Sequence, residues 1–93
     1  MAVTLNNTTD ATFKINGYQE YLHNPPQEIN PGDEAEIKYT PGKPTVIYCI
    51  DEEIRGQLVV EVGNSSQGNK LWGEGLFQLQ MSGRAETWDI VTN

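Results

Sequence analysis

Residues 34–50 read EAEIKYTPGKPTVIYCI and contain the two patterns that decide the fold class. In the first part, Ala35, Ile37 and Tyr39 alternate with charged residues, which is the two-residue period of a half-buried strand. In the second part, residues 45–50 are apolar at almost every position, as in a central strand covered on both faces. The prolines and the glycine between the two parts are turn signals. The stretch therefore predicts two strands separated by a turn.

The same period continues on both sides of this stretch. Towards the N-terminus, Val3 and Leu5 share one face, as do Phe13 and Ile15, and these two runs are predicted to form a hairpin. Towards the C-terminus three more runs alternate, and the residues predicted to point inward are Leu58, Val60, Val62, Phe77, Leu79, Met81, Trp88 and Ile90. About seven strands joined by turns predict an all-β fold, an antiparallel β-sandwich, with a small β-barrel as the alternative.

Length and charge limit the functions to consider. A chain of 93 residues is expected to form a single domain, residues 1–93. Thirteen acidic residues against six basic ones give a net charge of -7, which repels phosphates, so nucleic acid is not an expected partner. With no long apolar stretch and no signal peptide at its start, the chain is expected to be soluble, and either cytoplasmic or secreted by a leaderless route.

The sequence offers little support for catalysis. His23 is the one histidine and Cys49 the one cysteine, so the Cys/His metal motifs lack ligands. Cys49 lies in an apolar run and is expected to be a buried, unreactive thiol. The acids Asp51, Glu52 and Glu53 are more typical of a solvated strand end than of an acid/base pair. We therefore predict a non-enzymatic protein with no catalytic residue, no metal and no cofactor.

The two tryptophans have different contexts. Trp72 lies between Lys70 and Glu74 and is flanked by glycines, which predicts an exposed side chain on a binding loop. Trp88 alternates in phase with Ile90 and is expected to belong to the core. A tryptophan at a surface favours either a sugar ring or a membrane interface, since both present an apolar face beside hydrogen-bonding groups.

An irregular segment, residues 16–33, carries further aromatic residues. Its prolines and glycines exclude a continuous element. Tyr18, Tyr21 and His23 either project from this segment towards a ligand or plug the edge of the core, and both interpretations stay open. The residues predicted to bind a ligand are Trp72, Tyr18, Tyr21, His23 and Lys70.

The order of these features resembles that of the aegerolysins, which are small acidic β-sandwich proteins. The similar stretches are residues 5–9, the proline-rich segment before residues 29–32, residues 58–72 with their polar loop, and residues 82–83 followed by 88–91. The resemblance implies recognition of a membrane lipid, often together with a larger pore-forming partner protein, and no catalytic residue. It also implies that Trp72, Tyr18 and Tyr21 belong to the lipid-facing surface.

Recognition of a lipid head group is therefore the leading hypothesis for the function. The alternatives are a carbohydrate-binding module or lectin that stacks sugars on Trp72, and a protein-interaction or inhibitor module that docks through a loop or a strand edge. The negative net charge favours a neutral glycan or a zwitterionic head group over an anionic ligand. The oligomeric state is left open.

Overall fold

The computed structural model describes residues 1–17 and 20–93, which fold into two β-sheets packed face to face. These residues form nine strands and no helix. The strands are β1 (Ala2–Asn7), β2 (Phe13–Gly17), β3 (Glu28–Ile29), β4 (Glu34–Lys38), β5 (Thr45–Asp51), β6 (Gly56–Val62), β7 (Lys70–Gly75), β8 (Phe77–Met81) and β9 (Thr87–Thr92). The prediction of an all-β sandwich is confirmed.

The two strands beyond the predicted seven are β3 and β7. β3 is only two residues long and follows two prolines, so its sequence has no room to show an alternation. β7 contains two glycines and two charged residues, a composition that is more common in loops than in strands. Both are edge strands, which tolerate such residues because one side is free of a partner.

The strands are ordered β4-β1-β9-β8 in the four-stranded sheet and β3-β2-β5-β6-β7 in the five-stranded sheet. All neighbours are antiparallel except β1 and β9, which run parallel, so the predicted antiparallel pattern fails at that one pair. The predicted hairpin of the first two runs is also wrong, because β1 pairs with β4 and β9 whereas β2 pairs with β3 and β5.

Asn7 redirects the chain from the first sheet to the second. Its side chain is fully buried, and Nδ2 donates to the carbonyl oxygens of Ala11 at 2.8 Å and Ile29 at 3.4 Å. Its Oδ1 accepts hydrogen bonds from the backbone N–H of Thr9 at 3.0 Å and from the Thr9 hydroxyl at 2.7 Å. These bonds shape residues 8–12 as a crossover instead of a hairpin turn.

The inward residues of the two sheets form a single hydrophobic cluster between them. Phe13 of the five-stranded sheet meets Phe77 of the four-stranded sheet edge to face, with ring centroids 4.8 Å apart. Cys49 is buried as predicted, and loss of solvent raises the pKa of its thiol to about 12. Trp88 packs against the cluster, half-buried.

Burial differs from the prediction at two strands. The prediction that β5 is covered on both faces is wrong. Its buried residues all lie on the inner face and are Thr45, Ile47, Cys49 and Asp51, whereas Val46 and Tyr48 on the outer face are exposed. An apolar run cannot show whether a second layer covers it. In β8, Phe77 is buried, yet Met81 is 78% exposed, because it ends an edge strand.

The acidic run of residues 51–53, which begins with the last residue of β5, is not wholly solvated. Asp51 is only 1% exposed and forms a two-point ion pair with Arg55, with Nε 2.6 Å from Oδ2 and an Nη atom 3.1 Å from Oδ1. The hydrogen bonds from Arg55 lower the pKa of the Asp51 carboxyl. Glu52 and Glu53 remain exposed.

Within the described residues, no helix is long and apolar enough to cross a membrane.

Replacing Asn7 by alanine is expected to lower the free energy of unfolding by about 2–4 kcal/mol, because buried partners in residues 9–29 lose their hydrogen bonds. Chemical denaturation followed by tryptophan fluorescence measures the loss. Asn6→Ala is the matched control: Asn6 is half-buried, has one side-chain bond, to Asp89, and should cost less than about 1 kcal/mol. Equal losses in the two variants would contradict the assigned role of Asn7.

Ile54 has a φ of 56° and is 83% exposed. This left-handed conformation is strained for a β-branched residue and tolerated by asparagine. Ile54→Asn is therefore expected to raise the free energy of unfolding by about 1 kcal/mol. Ile54→Val keeps the branch and should leave stability unchanged, so a similar gain in that variant would disprove the explanation by strain.

Candidate functional site

The outer faces of the two sheets differ in chemistry. The four-stranded sheet turns polar residues outward on all its strands, among them Thr4, Asn6, Glu34, Glu36, Lys38, Gln78, Gln80 and Asp89. The five-stranded sheet instead exposes Val46, Tyr48 and Trp72. Large apolar side chains gathered on one outer face are a feature of binding surfaces.

Three of these outward residues form a line across the strands. In the register of the sheet, Tyr48 on β5 lies opposite Val59 on β6, and Val59 lies opposite Trp72 on β7. Tyr48 is 41% and Trp72 38% exposed, whereas Val59 is 3% exposed although it also points outward. The two large side chains on its flanks account for its burial. We call Tyr48, Val59 and Trp72 the aromatic row.

Hydrogen bonds hold the Trp72 side chain in place. The indole Nε1 donates to Oε1 of Glu74 at 3.0 Å, and Nε2 of Gln57 donates to the other carboxylate oxygen at 2.9 Å. These two bonds lower the pKa of Glu74. Because Glu74 occupies the indole N–H, Trp72 is left to contact a ligand through the faces of its ring. The side chain is therefore oriented before any ligand arrives.

An open groove of about 540 Å³ adjoins the aromatic row. Its lining includes Val46, Tyr48, Glu61 and Lys70 from the strands and Asn64, Gln67 and Gly68 from the loop after β6. In this lining Glu61 and Lys70 are opposite each other in register, so the groove carries one charge of each sign.

The loop that borders the groove is held by Asn64. Its Oδ1 accepts hydrogen bonds from the backbone N–H groups of Ser66 at 3.0 Å and Gln67 at 3.1 Å. Lys70 then donates from Nζ to Oε1 of Gln67 at 3.2 Å, which ties the loop to β7. The groove thus offers an ammonium group, a carboxylate and amides beside apolar side chains, the combination typical of a small-molecule site.

The structure brings together two of the predicted site residues. Trp72 is exposed as predicted and lies two residues from Lys70, but both are on strand β7, so the prediction of a binding loop is wrong. Gly73, which follows Trp72, is a packing position: a Cβ there would lie 2.4 Å from the carbonyl oxygen of Phe77, where β8 lies against β7.

Two further predicted residues, His23 and Tyr21, do not join this site. His23 is exposed, and its Nε2 is 2.9 Å from the hydroxyl of Thr40. Tyr21 is half-buried, with Lys43 Nζ 5.9 Å from its ring centroid. Tyr18 lies outside the residues that the structure describes.

Sequence reasoning missed Tyr48, Val46 and Glu61. The signal that could have found them is the short connection between β5 and β6: a hairpin that pairs Ile50 with Gln57 places Tyr48 opposite Val59.

Among residues 1–17 and 20–93, no three His, Cys, Asp or Glu side chains are grouped so as to hold a metal ion.

Comparison with protein-family models, with curated proteins and with solved structures finds no match to this chain. The resemblance to aegerolysins therefore stays a prediction.

The hydrogen bond from Trp72 to Glu74 predicts that the fluorescence of Trp72 depends on pH. In a Trp88→Phe background, where Trp72 is the only tryptophan, the tryptophan emission should stay constant at neutral pH. It should change as the pH falls through the lowered pKa of Glu74, below the usual 4.5, because protonation removes the charged acceptor of the indole N–H. Gln57→Ala should move the midpoint up towards 4.5.

The control for this titration is Glu74→Gln, whose amide oxygen still accepts the indole hydrogen bond and does not titrate. Circular dichroism at each pH confirms that the fold is intact. A transition that persists unchanged in Glu74→Gln would show that another group is responsible.

Proposed function

We propose that this chain is a non-enzymatic carbohydrate-binding protein, and that the aromatic row and the adjoining groove form its binding site. The observation that carries the proposal is the exposure of Tyr48 and Trp72 on one row of a sheet face, beside a groove with hydrogen-bonding groups. A sugar ring has an apolar face of C–H groups and a rim of hydroxyls. Aromatic faces bind the former, and carboxylate, ammonium and amide groups bind the latter.

Two properties of the site favour a neutral sugar. Lys70 is accompanied by Glu61 in the groove and by Glu74 four residues along the strand, so the described residues of the site carry no excess of positive charge to attract a sulfated or phosphorylated ligand. The second property is that the indole of Trp72 is held by its hydrogen bond to Glu74 and lies within a strand, so little conformational entropy is lost on binding. This matters for sugars, because each contact with a sugar contributes little binding free energy.

Recognition of a lipid head group stays a prediction with weaker support. Aromatic residues that enter a bilayer interface work best from protruding positions, whereas Trp72 and Tyr48 lie within strands β7 and β5, beside the carboxylates of Glu61 and Glu74. The same face could reach a membrane only by lying flat on it, with these acidic groups against the head groups.

A glycan array probed with the labelled protein tests the proposal. We expect binding to neutral glycans, and Trp72→Ala should weaken it about tenfold or more, since an aromatic stacking contact and its buried area are lost. Met81→Ala is the matched control, because Met81 is an exposed apolar residue of the other sheet and its loss should leave binding unchanged.

Liposomes of phosphatidylcholine, phosphatidylethanolamine or sphingomyelin provide the contrasting assay. Co-sedimentation that depends on Trp72, combined with no binding to any arrayed glycan, would overturn the carbohydrate proposal in favour of lipid recognition.

A further inference from the structure

Resting on the proposed function, we infer that the ligand is an unbranched, neutral glycan chain that lies across the strands along the aromatic row. The inference follows from the order of three parallel rows of side chains on the outer face of the five-stranded sheet. The sheet register defines each row, since residues paired between neighbouring strands lie side by side on the same face.

The aromatic row is flanked on one side by a polar row. Gln57 and Glu74 lie opposite each other on β6 and β7, and Lys14 occupies the same row on β2, beyond the half-buried Ile50 of β5. Lys14 is engaged in ion pairs with Glu28 and Glu52. This row therefore offers amide and carboxylate groups at the β7 side.

A second polar row lies on the other side. Glu61 on β6 and Lys70 on β7 are paired in register, and Val46 on β5 continues the row. Because alternate residues of a strand share a face, each polar row is displaced by roughly 7 Å from the aromatic row. The face thus has an apolar middle between two sets of hydrogen-bonding groups.

This arrangement matches a glycan chain in an extended, ribbon-like form. The ring faces of such a chain would rest on Tyr48 and Trp72, and the hydroxyls on its two edges would meet the two polar rows. Both charge signs occur in the rows, as Glu61, Lys70 and Glu74 show, so a neutral chain fits better than a polyanion.

The length of the aromatic row excludes a single sugar as the full ligand. Tyr48 and Trp72 are two strands apart, roughly 9–10 Å, which is wider than one sugar ring. The row continues to the exposed Asn16 on β2, and at the other end β7 is the edge of its sheet. Beside β2, residues 27–29 run alongside the strand as far as Ile15. At the β7 end, which is an edge among the described strands, a long chain can extend beyond the row.

Isothermal titration calorimetry with oligosaccharides of increasing length tests the inference. The probes are β-1,4-linked chains of glucose, mannose, xylose and N-acetylglucosamine, from the monosaccharide to the hexasaccharide. For at least one series, we expect affinity to rise about tenfold or more between the monosaccharide and the hexasaccharide, because the longer chain reaches both Tyr48 and Trp72.

Variants of Tyr48 separate this inference from the proposed function. Tyr48→Ala should weaken hexasaccharide binding about tenfold and so lower the ratio of hexasaccharide to monosaccharide affinity, whereas loss of the proposed site as a whole would abolish binding of both. Tyr48→Phe keeps the ring and should retain hexasaccharide binding, which distinguishes loss of stacking from damage to the fold. Met81→Ala again serves as the control.

Three results would overturn the inference and leave carbohydrate binding standing. The first is equal affinity for monosaccharides and hexasaccharides. The second is full hexasaccharide affinity in Tyr48→Ala combined with its loss in Trp72→Ala. The third is Trp72-dependent binding of a branched glycan on the array together with no binding of any of the four linear series.

Discussion

The hydrogen-bond register between β6 and β7 is the constraint on which the candidate site depends. A slip by one residue would turn Trp72 inward and bring Leu71 to the surface. Sterics prevent that slip. Gly73 occupies an inward position where a Cβ would lie 2.4 Å from the carbonyl oxygen of Phe77, so neither Trp72 nor Glu74 could stand there. The close approach of β8 to β7 at Gly73 therefore keeps the indole on the outside.

The sequence allowed the fold class and much of the core to be predicted because both depend on local periodicity. Ala35, Ile37 and Leu58 are buried as their alternation indicates. Strand pairing is not local, and it was mispredicted where a single buried side chain decides the path. The runs that became β1 and β2 have the pattern of a hairpin, yet the bonds of Asn7 to Thr9 and Ala11 send the second run to the other sheet.

The candidate site was half predictable for a similar reason. Trp72 and Lys70 stand out by their residue types, and exposure of Trp72 was inferred correctly. Tyr48 was hidden in a run of apolar residues, because the outer face of β5 is apolar without being covered. Composition also misled at β7, where glycines needed for close packing resemble glycines of a flexible loop. In both strands the missing information was which neighbour lies against the chain.

The parallel pairing of β1 with β9 has a consequence for how the chain reaches its fold. Asn6 and Asp89, which are hydrogen-bonded across this pair, are 83 residues apart in the sequence. While the chain emerges from the ribosome, β1 can pair with β4 but its other edge has no partner until β9 has been synthesised. Contacts of such long sequence separation slow folding and leave strand edges open in the meantime. The centre of the four-stranded sheet is thus completed late, whereas the consecutive strands β5, β6 and β7 can assemble beforehand.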